Sequence, residues 1–222
     1  MNDPYPAQGE DAPPPGDAYP VQYDVEYPDR TLNRLTTFFR IFTIIPIAIV
    51  LATVSGSSGS YGEGAEYGVV IAAGGFLFLG PLLMILFRQK YPRWWFDWNQ
   101  ELARFTGRVH IYLTLLTDRY PSTDEHQDLR LDLRYPDAER DLMRGMPLVK
   151  WFLAIPHYVV LFFLAIGAFV AVVIAWFAIL FTGRYPRGLF DFVVGTQRWF
   201  VRVAAYAFLL TTDRYPPFRL DP

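Results

Sequence analysis

The chain has 222 residues and a formal net charge of −2, with 52% hydrophobic, 18% aromatic and 19% charged residues. So many aromatics exclude a chain that is disordered throughout, and the near-neutral balance carries no global nucleic-acid footprint. There is no cysteine, which excludes a disulfide framework, a thiolate metal site and a cysteine nucleophile.

Residues 1–20 are proline-rich, carry Asp3, Glu10, Asp11 and Asp17, and contain no Lys or Arg. This is the opposite of a signal-peptide n-region and reads as a disordered acidic tail. From Val21 to Tyr27 apolar and polar residues alternate, which reads as a half-buried strand. The run 35–54 is apolar apart from Arg40, expected to snorkel to the headgroups, and Pro46, expected to kink it. The run 69–87 has no charge, and the Gly/Ser stretch 55–68 between the two runs has no Lys or Arg. Arg30, Arg34 and Arg40 lie before this pair, and Arg88, Lys90 and Arg93 after it. Two spans with both ends cytoplasmic and the loop outside are predicted.

A helical stretch at 94–117 follows, read as interfacial. As a span it would place Arg119, Arg130, Arg134, Arg140 and Arg144 outside. Alternation resumes from Leu129 to Tyr135 and reads as a second strand. The first strand is acidic on its polar face and the second mostly basic, so pairing them brings unlike charges together. The run 152–181 has 30 residues without a formal charge. As one helix it would be about 45 Å long against a hydrocarbon core of about 30 Å. A hairpin turning at Gly167 is expected, with a tilted single helix or a re-entrant wedge as the alternatives.

Internal duplication organises the whole. KYPRWWFDWNQELARFTGRVHIYLTLLT (90–117) aligns without gaps to RYPRGLFDFVVGTQRWFVRVAAYAFLLT (184–211). TDRYP closes both, after one extra residue in the second. Upstream, RIFTIIPIAIVL (40–51) matches KWFLAIPHYVVL (150–161), and VEYPD (25–29) matches LRYPD (133–137). Two copies are expected at 21–121 and 129–218. Each would be a short strand, a transmembrane hairpin and an amphipathic interfacial helix, in a mainly α membrane protein.

The second copy, with KWFLAIPHYVVLFFL, VIAWFAILFTGRYPRGLFDFVVG and RVAAYAFLLTTDRYPPF, resembles the DUF4389 family of bacterial membrane proteins. The first resembles a diverged copy, with Ile47 where the second has His157. The resemblance implies a tandem, actinobacterial membrane protein. It brings no catalytic or ligand residues with it.

Each expected interfacial helix has one polar stripe: Asp97, Glu101, Arg104, Arg108 and Tyr112, then Asp191, Gly195, Arg198, Arg202 and Tyr206. The spacing keeps each set on one helix face. Arg104, Arg108, Arg198, Arg202, Asp97 and Asp191 are the candidate contacts to lipid headgroups or a partner. The competing reading is a solvated face, or ion pairs that lock the two copies together. His157 is the candidate intramembrane polar group, more simply read as a structural histidine.

No nucleophile elbow, P-loop, dinucleotide fingerprint or metal spacing is present. No catalytic residue, metal or cofactor is assigned, and the chain is expected not to be an enzyme. The expected function is that of a multi-pass plasma-membrane protein, both termini cytoplasmic, that organises lipid or scaffolds other proteins. Its partners would be membrane lipids and a membrane protein or a second copy, with no nucleic acid. A small transporter or channel subunit is the second reading.

Overall fold

A computed structural model describes residues 19–55, 73–123, 125 and 127–222. The expected tail up to residue 18, the Gly/Ser loop from 56 to 68 and the start of the second expected span lie outside the described residues.

The two alternating segments are strands. β1 (Val21–Val25) pairs antiparallel with β2 (Leu129–Leu133), Val21 opposite Leu133 and Val25 opposite Leu129. Val21, Tyr23, Val25, Leu131 and Leu133 are buried on the inner face. Asp24 stands opposite Arg130, so unlike charges meet on the outer face at that pair. A two-stranded ribbon is marginal alone, and this one is sealed underneath by helices from both halves of the chain.

The first apolar run forms α1 (Arg34–Phe38), α2 (Arg40–Thr43) and α3 (Ile45–Ser55). Asn33 caps α1, its Oδ1 accepting from the N–H groups of Leu35 and Thr36. Then come α4 (Ala73–Arg88) and α5 (Arg93–Leu113). The second half holds α6 (Met146–Leu153), α7 (Ile155–Thr182) and α8 (Arg187–Ala204). Pro46 and Pro156 are each the second residue of their helix. Proline cannot donate to the carbonyl four residues back, so the preceding helix ends one turn earlier. The breaks fall at Ile44 and Ala154, where the sequence places the kink in the first run.

The 30-residue run does not turn back at Gly167. α7 is one continuous helix of 28 residues, about 42 Å long. The hairpin expected in the second half is absent. A reversal needs turn chemistry, and Gly167 stands alone between Ile166 and Ala168. A single interior glycine costs a helix only about 1 kcal/mol. Here it admits the Phe192 ring, whose Cζ would sit 3.3 Å from a Cβ at that position. α7 ends instead at Gly183, which has φ +73° and returns its N–H to the Ile179 carbonyl.

Among the described residues, α7 is the helix long and apolar enough to cross a membrane. Only 17% of its most apolar window is buried, whereas a core helix of a soluble domain would be enclosed. Phe162, Phe163, Phe169 and Phe181 point outward. The shorter apolar helix Arg40–Ala52 likewise exposes Ile41, Phe42, Ile45 and Ile49.

α8 must accommodate one residue more than α5 before the TDRYP turn. It does so in a π-helical turn, Ala205–Leu209. Leu115 and Leu210, the residues that then break direction, both have positive φ, 66° and 55°.

A buried cation opens each apolar run. Arg40 does not snorkel: burial excludes it from solvent and headgroups alike. Its Nη1 donates to the carbonyls of Tyr112 and Thr117, at 2.8 and 2.7 Å, and its Nη2 to Asp118 at 3.0 Å. The guanidinium also lies 4.0 Å over the Tyr112 ring. Lys150, fully buried, donates from Nζ to the Thr212 carbonyl at 2.7 Å and lies 2.7 Å from Asp213 Oδ1. Each aspartate also accepts the N–H that opens its segment, Asn33 to Asp118 and Met143 to Asp213, both at 2.7 Å.

Removing one member of a buried pair strands the other. Lys150→Met is expected to destabilise the protein by about 3–5 kcal/mol, read as a lower midpoint of chemical unfolding in detergent. Adding Asp213→Asn to it should restore part of that loss, because no uncompensated charge then remains.

Candidate functional site

The two polar stripes turn inward. Arg108, Arg198 and Arg202 are buried and Arg104 is half-buried, while Asp97 and Asp191, at the starts of their helices, stay exposed. Helical spacing placed these residues on one face, but that face meets the ribbon and the chain beyond it rather than headgroups.

The contacts cross between the halves. On α8, Arg198 donates from Nε to the Tyr23 carbonyl of β1 at 2.7 Å, and from Nη2 to Asp24 at 3.0 Å. On α5, Arg104 donates from Nε to the Leu131 carbonyl of β2 at 3.0 Å, and from Nη2 to Asp132 at 2.7 Å. Each arginine thus holds the strand of the opposite half. Arg104 also meets Glu101 at 2.7 Å, one turn back on its own helix. The tyrosines before the helices repeat the exchange. Tyr27 donates to the Tyr185 carbonyl and Tyr135 to the Tyr91 carbonyl, both at 2.6 Å. Arg187 and Arg93 lie over those tyrosine rings, at 4.3 and 5.2 Å.

One turn further along, the second arginines hold the chain that leaves each TDRYP turn. Arg108 donates to the Ser122 carbonyl at 2.8 Å. Arg202 donates to the carbonyls of Arg219 and Asp221, at 3.3 and 2.9 Å. Burial, with Arg198 and Arg219 nearby, pushes the Arg202 pKa down to about 10. Arg198 adds a third bond, to the Leu220 carbonyl at 2.8 Å. Gly195 permits this approach, since a Cβ there would come within 2.8 Å of Leu220 Cβ. Burial also raises the Tyr23 pKa, so its hydroxyl stays protonated and donates to Gln197, which in turn donates to Thr114.

His157 is fully enclosed at the start of α7. Its Nδ1 accepts from the Trp199 indole N–H at 3.1 Å, and its ring stacks on Phe218 at 4.0 Å. A nitrogen that accepts carries no proton, so this bond selects the neutral tautomer protonated at Nε2. Its Nε2 has no hydrogen-bond partner among the described residues. No group of three His, Cys, Asp or Glu side chains converges on a metal position among the described residues. A cavity of about 360 Å³ between Pro20, Arg134, Thr212 and Arg214 is bordered by Asp213, which already faces Lys150.

Sequence reasoning missed Arg40, Lys150, Asp118 and Asp213 as partners. Arg40 entered as a snorkelling residue before the first pair of spans, and Lys150 through the repeat alignment. The signal was present: each stands six residues before its proline, and each TDRYP contains one aspartate. The role of Phe218 and Leu220, beyond the closing turn, has no comparable mark in the sequence.

Magnitudes separate the parts of the Arg198 site. Asp24 is 70% exposed at its side chain against 8% for Arg198, so the ion pair contributes at most about 1 kcal/mol. The two bonds to carbonyls are charge-assisted and shielded, each about 1.5–3 kcal/mol. Asp24→Asn should therefore leave the unfolding midpoint nearly unchanged, whereas Arg198→Met should lower stability by about 3 kcal/mol or more.

Residues 146–219 match the family model described as Domain of unknown function (DUF4389). The match begins with α6 and runs past the turn after α8, over Lys150, His157, Arg198, Arg202 and Asp213. No curated protein and no solved structure matches the chain. Residues 146–219, the segment whose residues carry the resemblance, are thus similar to the DUF4389 family.

Proposed function

We propose that the chain is a multi-pass, non-enzymatic protein of the plasma membrane that organises lipid or scaffolds a membrane partner, with both termini cytoplasmic. Its two halves, 21–121 and 129–218, are read as tandem copies of one unit. The observation that carries the membrane part of this reading is the outer surface of α7, apolar and uncovered along the helix, on a body whose buried charges, among the described residues, are matched by carbonyls or carboxylates. An uncovered apolar surface of this size needs hydrocarbon or another protein against it.

The copy reading is supported by paired contacts at aligned positions: Arg40 with Lys150, Arg104 with Arg198, Tyr27 with Tyr135, and Leu115 with Leu210. Reciprocal exchange of strands between halves fits a two-fold unit made by duplication. The non-enzymatic reading rests on what the arginines do, since those on α5 and α8 hold backbone rather than line an opening. The transporter reading has less to stand on. His157, the candidate for a polar path, is closed in by Trp199 and Phe218.

Topology is directly testable because the chain has no cysteine. A single cysteine at Ser58 should react with an impermeant thiol reagent in intact cells, while one at Thr123 or Asp221 should react only after lysis. Labelling of Thr123 from outside would make α5 a span and overturn the proposed topology.

A further inference from the structure

Given the membrane reading above, the packing of α7 determines how it meets the bilayer. Residues Ala154, His157, Leu161, Ala171, Ala175 and Ile179 are buried, spaced so that they follow one face from the residue that caps α7 to its last turn. They pack on α8 over the first two-thirds and on α1 near the end, where Trp176 donates to the Thr37 carbonyl at 3.2 Å. α7 is therefore bonded lengthwise to the body, not projected from it.

What lies beneath α7 is polar on its far side. At the midpoint, Gly167 touches Phe192, one residue from the exposed Asp191. Behind α8 sits β1, whose outer face carries the exposed Asp24. If α7 crossed the membrane, Asp191 and the ribbon would be drawn to hydrocarbon depth beside its centre. A charge there is costly, and a ribbon with open edges is not tolerated in lipid. A helix of about 42 Å overshoots a core of about 30 Å, so as a span it would have to tilt or run on into the headgroup layers.

Charge marks the end of the apolar face. Phe181 is 77% exposed, and within the next two turns come Arg184 and Arg187, both exposed. Arg34 reaches the same place, its Nε and Nη2 3.9 Å from where a Gly183 Cβ would stand. The acid recorded nearby is Asp29, 3.9 Å from Arg187 and itself almost fully exposed.

We infer that α7 lies in the plane of the cytoplasmic leaflet, its outer face sunk into the hydrocarbon boundary, with Arg34, Arg184 and Arg187 bound to anionic lipid phosphates at its end. Helices of this kind enter the boundary by about 5–10 Å. Both ends of α7 are then on one side of the membrane without a hairpin.

The test uses the full chain in vesicles of phosphatidylcholine with phosphatidylglycerol. Single cysteines at Val159, Phe163, Val170, Ile174 and Phe181 carry a nitroxide, and depth is read from relaxation by oxygen against a nickel chelate. The expected result is one shallow depth for all five. A profile deepest at Val170 and shallow at both ends would overturn the inference and make α7 a span. If the protein does not float with the vesicles at all, the membrane reading itself fails, and the depth profile is not what decided it. For the cations, Arg34→Glu with Arg184→Glu and Arg187→Glu should cut the phosphatidylglycerol retained on purification by about twofold or more, since arginines near an anionic surface attract its headgroups. Unchanged retention would remove the headgroup contact from the proposal.

Discussion

A buried cation must find an oxygen. That constraint decides where most of this chain goes after each of its helices. Arg40 and Lys150 lie under the apolar runs they open, and each is answered by the carbonyl and the aspartate of a TDRYP turn far along the chain. The turn can present a carbonyl there because the residue two positions before it, Leu115 or Leu210, takes a positive φ and reverses the backbone. A left-handed leucine is strained, and it persists because the cation beneath over-determines the conformation. The π turn in α8 has the same logic. It absorbs one extra residue so that Thr212 and Asp213 still reach Lys150.

The arginines of α5 and α8 extend the principle to the ribbon. A guanidinium has donors in a fixed fork, which suits it to take a strand carbonyl and the neighbouring carboxylate together, as Arg198 and Arg104 do. Lysine could not reproduce that fork. At Lys150 a point charge suffices, because one carbonyl and one carboxylate lie within its reach.

Much of the fold was legible because its periods are unambiguous. Val21–Val25 and Leu129–Leu133 alternate, and they are strands. Pro46 and Pro156 dictate helix breaks. The stripe residues fall on one face, and they share it. What periodicity cannot supply is the surroundings of that face. A polar stripe at 3.6-residue spacing looks the same whether it meets water, headgroups or a strand edge. The burial of Arg198 depends on Tyr23 and Leu220, which lie 175 and 22 residues away. Gly167 misled for a related reason. The length of the run and the repeat favoured a hairpin, yet both are also met by a straight helix whose two ends stay on one side.

The crossed contacts have a consequence for cooperativity. α8 alone offers Arg198 no strand, and β1 alone offers Tyr23 no cover, since Tyr23 is buried against the ribbon core and bonded to Gln197 of the other half. Neither half satisfies all of its own buried donors. Tyr27 and Tyr135 repeat the dependence at the opposite ends of the same helices, where each donates across to a carbonyl of the other half. Opening one half would therefore leave a charged guanidinium and a tyrosine hydroxyl unpaired in the half that remained, a cost of several kcal/mol. Stability of this kind is shared rather than summed, so the ribbon, α5 and α8 behave as one unit. The apolar helices sit outside that unit's polar framework, attached to it by one buried cation and one packed face each.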